Sequence, residues 1–439
     1  MACHDRHTNV IYRKSVLTKN ALYRSIEIYF MRCLRVAHRR PSTRHIKIIF
    51  FMRDTHAPSD EQAAPSRTRF VFSKLLLVFL YVCCAVQVLA GEEPALRLNQ
   101  LQYIGSHNSY HAGLAPGETA IWKQIDPKTF AIIDYSHPAL TRQLDDGVRQ
   151  LELDIYGDAK GGRYAHPAIA EQVRKAGLPP DPPFADPTVM QRPGYKVMHI
   201  QDLDQRSVCQ PFTACLAEIR AWSQAHPRHV PLFILVETVR SELHMPFPTV
   251  QTEPYDGKAL DALDAEIRSV FAPGEYISPD DVRGRFRTLN EAIRKQGWPT
   301  LASARGKVIF LLDQRWVGPV YLQGHPSLRG RVLFTNAVPG DDDAAFTELN
   351  DGDAASITRL VQQGYLVRTR TDANLKEPSH NDTTRRDAMF ASGAQLLSTD
   401  YPDREPALSG YSVSFPDHLP ARCNPLLAQV RCSAADLSP

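Results

Sequence analysis

The chain has 439 residues, 43% of them hydrophobic and 23% charged, with a formal net charge of +3. That length allows one large domain or two ordinary ones, and the composition excludes a disordered or fibrous protein. The small net charge conceals a division: residues 1–90 hold 15 Lys and Arg against 5 Asp and Glu, whereas the remainder holds 36 against 43. The larger part is mildly acidic, which argues against nucleic acid as the main partner.

Residues 1–66 are basic, patchy and without periodicity. They are expected to be a non-mature or spurious extension, with the natural start at or near Met52; a real basic extension is the alternative. Arg67, Arg69 and Lys74 then precede an apolar run from Leu75 to Leu89, which gives way to Ala90 and Gly91-Glu92-Glu93. This is the pattern of a cleaved secretory signal over residues 67–90, and the run is short for a membrane anchor. A secreted or periplasmic protein follows. The cysteines beyond residue 90 fall into two local pairs, so Cys209–Cys215 and Cys423–Cys432 is the simplest of three possible connectivities. Their spacing matches no zinc pattern.

From residue 91 onward, eight apolar, β-rich runs recur: Leu101–Ile104, Val148–Ile155, Lys196–Ile200, Leu232–Glu237, Val308–Asp313, Val332–Asn336, Leu366–Thr371 and Gln395–Thr399. Amphipathic stretches lie between them, at Thr213–Gln224, Gly257–Phe271, Asp342–Gln363 and Asp382–Ser392. Such alternation predicts an α/β fold, a (β/α)8 barrel over 91–402. Long loops follow the second run (Tyr156–Tyr195) and the fourth (Arg240–Asp256), and 403–439 forms an irregular C-terminal tail packed on the barrel. An open doubly wound sheet is the structural alternative, although no Gly-rich dinucleotide fingerprint or P-loop follows the first run.

The polar residues at the ends of these runs carry the chemistry. Asn108, Glu152, Asp154 and Glu237 are all oxygen donors, which suits a hard divalent cation, Ca2+ before Mg2+. Glu152 and Asp154 are two apart on a strand and share a face, the lumen of a closed barrel. Crowded carboxylates raise one another's pKa unless a cation sits among them. His107 and His199 end the first and third runs and are the proton-transfer candidates. His111, His166 and His226 read as incidental. Two imidazoles beside a cation on carboxylates suit phosphodiester cleavage.

With Gly105-Ser106-His107-Asn108-Ser109-Tyr110 and Leu151-Glu152-Leu153-Asp154 in this order, followed by His199 and Glu237, the chain resembles Ca2+-dependent phosphoinositide phospholipase C in its secreted, mostly microbial branch. The segments around Arg368–Asp372 and Ser398–Tyr401 add to the likeness. The resemblance implies Ca2+ on Asn108, Glu152, Asp154 and Glu237, phosphate contact by His107, and protonation of the diacylglycerol leaving group by His199. The inositol 2-hydroxyl would attack phosphorus to give a cyclic inositol phosphate, its proton taken by Glu152 or Glu237. Metal-independent relatives carry an Arg in place of the cation, and the acidic pair here implies the Ca2+ version. Arg368 and Arg370 point the same way; Arg370 is a candidate phosphate grip and Tyr401 a candidate stacking surface for the sugar ring. The partner is a phospholipid at a membrane surface; no protein partner is implied, and a monomer is expected. Two rivals stand beside this reading. A glycerophosphodiester phosphodiesterase shares the barrel, but its first His is usually followed by Arg-Gly. A secreted Ca2+- or lipid-binding module without turnover belongs to another class, and retention of both His and all four ligands speaks against it.

Overall fold

In the computed structural model, residues 95–427 apart from Gly352 and Asn374, together with Cys432, Ser433 and Leu437, are described. The expected extension and signal segment lie outside these residues. Among the described residues, ten strands occur: β1 Leu101–Ser106, β2 Gln150–Tyr156, β3 Lys196–Val197, β4 Leu232–Thr238, β5 Val308–Leu312, β6 Phe334–Thr335, β7 Phe346–Glu348, β8 Leu366–Arg370, β9 Leu396–Thr399 and β10 Arg422–Cys423. Eight of them form a parallel sheet in the order β6-β5-β4-β2-β1-β9-β8-β7. A parallel bridge between Asn336 and Phe346 joins its two ends, so the sheet closes into a barrel.

The central staves read as near-continuous apolar runs because both faces are covered. Leu232–Val236 and Val308–Leu312 are buried throughout. Around them pack amphipathic helices such as Phe212–Ala225 and Gly257–Val270, the latter capped by the Asp256 side chain and turning Leu260, Leu263 and Ile267 inward. The predicted helical stretches at Asp342–Gln363 and Asp382–Ser392 shorten to Ala354–Gln362 and Thr384–Ala391.

Two strand assignments need correction, and they offset each other. Lys196–Ile200 is not a stave. Its strand β3 lies antiparallel against the end of β2, with Ile155 opposite Val197, while β2 pairs along its length with β4. Lys196 turns inward to a buried ion pair with Asp158 (3.1 Å) and donates to two backbone carbonyls, so this short run is a structured piece of the long loop. The missing stave is β7, three residues inside the stretch read as helical, paired in parallel with β8. Its brevity and its acidic surroundings hid it from period counting.

Beyond β9 the chain returns under the barrel. Tyr411, Val413, Phe415 and Ala421 are buried, and β10 pairs antiparallel with β1, Leu101 opposite Cys423. The disulfides Cys209–Cys215 and Cys423–Cys432 form as expected. No described helix is long and apolar enough to cross a membrane.

Candidate active site

Gly105 and Gln150 are register partners on β1 and β2, and a Cβ at position 105 would meet the Gln150 side chain at 2.2 Å. Glycine therefore lets the two staves close up just before β1 delivers His107 and Asn108 to the rim. Asn108 has φ 45, the left-handed conformation that Asn tolerates better than most side chains. Its amide Nδ2 donates to the Tyr135 hydroxyl (2.8 Å), which leaves Oδ1 as the free acceptor among the described residues.

The displacement of β3 brings the acids together. With β2 directly beside β4, Asp154 and Glu237 become register partners, and one oxygen each from Glu152, Asp154 and Glu237 lies within 4.8 Å of the others. Leu151, Leu153 and Ile155 take the opposite face of β2 and pack in the core. Burial, then Glu237 and Glu152, push the Asp154 carboxyl well above its ordinary range; burial, then Asp313 and Glu152, do the same to Glu237. Arg368 on β8 supplies a counter-charge. It donates to Glu152 Oε2 at 2.5 Å and lies 3.4 Å from Glu348 Oε2. It leaves Asp154 Oδ1 buried and unpartnered. Three carboxylates with one oxygen orphaned form a donor set that fits a hard divalent cation. Arginine thus reaches the acidic cluster without satisfying it.

His107 stands next to this cluster. Its Nδ1 lies 2.7 Å from Asp400 Oδ1, its Nε2 accepts from Arg370 Nη1 at 3.0 Å, and Nε2 is 3.6 Å from Glu152 Oε1. Because a guanidinium only donates, Nδ1 carries the proton shared with Asp400 and the ring is neutral. Burial and then Arg370 press its pKa down, against the pull of Glu152 and Asp400. Burial alone would raise the Asp400 carboxyl, but Arg370 and His107 hold it below the ordinary carboxylate range. Arg370 Nη2 bonds Asp400 at 2.8 Å and Asp372 at 3.2 Å. The backbone of His107 is held too: its carbonyl bonds His137 Nε2 (2.9 Å), whose Nδ1 meets Glu405 of the tail at 2.6 Å.

His199 lies in the turn after β3. Its Nδ1 and the Nε2 of His111 are each 2.8 Å from the same oxygen of Asp204, and the two rings meet edge to face at 5.1 Å. Burial would raise the Asp204 carboxyl; the two imidazoles hold it low instead. His111, set aside in the sequence as incidental, is fully buried, shares Asp204 with His199 and rests against Tyr135 (4.9 Å), which bonds Asn108. Its spacing from Asn108, with no apolar periodicity around it, gave no signal.

A cleft of about 230 Å³ opens among these groups, walled by His107, Glu152, Glu237, Arg370, Asp372 and Arg385. His199 lies outside its wall. Tyr401 does not line it either. That ring faces a wider groove of about 1030 Å³ shared with Tyr135, His137 and Asp400, and stands edge-on to Tyr411 at 6.2 Å. Sequence reasoning missed Asp313, Glu348, Asp204 and His137. Asp313 alone left a trace, since it closes an apolar run as Glu237 does.

Residues 96–425 match the family of phosphoinositide phospholipase C, Ca2+-dependent. The chain belongs to that family. Its members are phosphatidylinositol-specific phospholipase C enzymes, which places this chain among the phosphoric diester hydrolases. Among solved structures it is similar to a Ca2+-dependent phosphatidylinositol-specific phospholipase C from Streptomyces antibioticus, at 20% identity over 70% of this chain and 95% of that one, TM-score 0.44. It is also similar to a calcium-dependent enzyme from a Pseudomonas species, at 16% identity over 75% and 95%, TM-score 0.44. A third likeness is the phosphatidylinositol-specific phospholipase C of Listeria monocytogenes, at 12% identity over 72% and 93%, TM-score 0.39. No curated protein gives a significant match.

Proposed function

We propose that the chain is a secreted, Ca2+-dependent phospholipase C that cleaves phosphatidylinositol to diacylglycerol and a cyclic inositol phosphate. The observation that carries this reading is the meeting of Glu152, Asp154 and Glu237 beside the His107–Asp400–Arg370 group at the end of the barrel staves. Ca2+ on Asn108, Glu152, Asp154 and Glu237 would polarise a phosphoryl oxygen and make the attacking hydroxyl more acidic. The chain's own groups do the rest. Glu152 or Glu237 takes the proton of the inositol 2-hydroxyl. Arg370 donates to the phosphate, and His107, 3.6 Å from Glu152, becomes a cation held by Asp400 when a proton reaches Nε2. His199 gives its proton to the departing diacylglycerol oxygen, with Asp204 orienting the ring through Nδ1.

Export is supported by the signal-like segment at 67–90 and by two disulfides. Work at a membrane surface is supported by the large exposed apolar side chains. Ile132, Trp316, Val338 and Leu408 all belong to segments that follow the C-terminal ends of barrel staves.

The test is turnover. Purified protein given Ca2+ and phosphatidylinositol vesicles should release cyclic inositol phosphate, stop when a chelator is added, and leave glycerophosphocholine intact. His107→Ala and His199→Ala should each lower kcat by roughly 10²–10⁴-fold. Choline or glycerol phosphate release would favour the rival phosphodiesterase, and full activity in both variants would remove the mechanism.

A further inference from the structure

We propose that His111, Asp204 and His199 form a second metal site, one for Zn2+, through which that ion shuts off the acid of the reaction. The site itself stands apart from the phosphatidylinositol reading; its effect on turnover rests on that reading.

Among the described residues, two clusters of metal-binding groups occur, and their chemistry is opposed. Glu152, Asp154 and Glu237 offer only oxygen, which suits Ca2+. His111, His199 and Asp204 offer two imidazole nitrogens and one carboxylate, with one donor atom of each within 4.8 Å of the others. Nitrogen donors select against a hard ion and for Zn2+. Asp204 is the hub, with His111 Nε2 and His199 Nδ1 each 2.8 Å from its Oδ2. Donors around a tetrahedral Zn2+ stand about 3.3 Å apart, so each imidazole needs to draw back by only about half an ångström.

Hydrogen bonding does not use this cluster up. Asp204 Oδ1 and His111 Nδ1 are both buried without a partner among the described residues, and both side chains are fully buried. A buried carboxylate oxygen left unpaired is costly, and a cation on Asp204 offsets that cost. His111 Nδ1 is free to take the proton that Nε2 gives up, so the ring can turn a lone pair to the metal and stay neutral. His199, its side chain 17% exposed, is the way in, and a water completes the shell.

Zinc here opposes catalysis. With Nδ1 on the metal, His199 holds a single proton on Nε2 and cannot reach the doubly protonated form. A neutral imidazole is a far weaker acid than an imidazolium, so the leaving alkoxide loses its proton donor.

Two measurements decide the matter. First, the full chain in saturating Ca2+ is titrated calorimetrically with Zn2+. One Zn2+ should bind per chain, and His111→Gln and His199→Ala should each weaken it about tenfold or more. Asp154→Asn, which alters the oxygen cluster, should leave the zinc affinity as it is. Zinc binding that survives both histidine changes, or that falls in Asp154→Asn, overturns the site. If His111→Gln does not fold, His199→Ala carries the comparison, since its ring is part-exposed. Second, cleavage of phosphatidylinositol vesicles is followed as Zn2+ rises at two Ca2+ concentrations about tenfold apart. Inhibition should be equal at both; inhibition that Ca2+ relieves would put Zn2+ on the acidic trio and overturn the proposal. Absence of any lipid cleavage without Zn2+ would sink the functional reading and leave the titration standing, whereas a chain that binds no Zn2+ would sink only this one.

Discussion

Asp154 is a side chain under heavy electrostatic stress. Buried, flanked by Glu237 and Glu152, with one oxygen unpartnered, it is ill suited to a cation-free fold. Asp154→Asn should therefore raise stability in chelator by about 1 kcal/mol or more and abolish the further gain that Ca2+ gives the wild type. Paired denaturant melts with and without Ca2+ read both numbers; an Asn variant that still gains from Ca2+ would remove Asp154 from the ligand set. Asp204 tests the other imidazole. It bonds both His199 and His111 and so fixes the orientation of the His199 ring. Asp204→Asn should cost roughly 10²-fold in kcat with little change in KM. A rise in KM at constant kcat would mean that the group holds substrate instead. Of these residues, Glu152, Asp154 and Glu237 were legible because acids at the ends of apolar runs break a pattern. Asp204 and His137 were not, because their roles lie wholly in what they touch.

At the scale of elements, the register of β2 against β4 decides the site. A stave at Lys196–Ile200 would have held Asp154 and Glu237 one strand apart; its exclusion makes them neighbours. At the start of β4 the same packing produces a pH-sensitive anchor. His229 is buried between Ser223 Oγ (2.7 Å) and the Val230 carbonyl (2.6 Å). Burial lowers its pKa to about 4, below the ordinary value of about 6.5. A depressed folded pKa means that the unfolded chain binds the extra proton first. The stabilisation is complete above about pH 6.5 and is lost as the pH falls toward about 4, by up to about 3 kcal/mol. Urea melts across that window should show the slope in the wild type and a flatter one in His229→Gln; parallel slopes would contradict it.

The whole molecule includes its tail. Residues 403–439 were expected to pack on the barrel, and Tyr411, Val413, Phe415 and Ala421 are buried in its core, with Glu405 bracing the His137 that holds His107. Burying each large apolar side chain is worth about 1.5–3 kcal/mol, so together they approach the net stability of a domain. A chain ending at Pro402 should fail to give a cooperative melt, whereas Glu405→Gln should fold and lose activity. A truncated chain that melts cooperatively and keeps its rate would show the tail to be dispensable.

The order of apolar runs and the polar residues that end them pointed to the barrel class, the family and six candidate site residues, because period and composition are local properties of a sequence. Only the tertiary structure decided which runs became staves, that Arg368 and Arg370 are tied to carboxylates, and that His111 and His199 share one aspartate. Those outcomes depend on contacts between segments up to hundreds of residues apart, where closure and burial, not local pattern, set the energy.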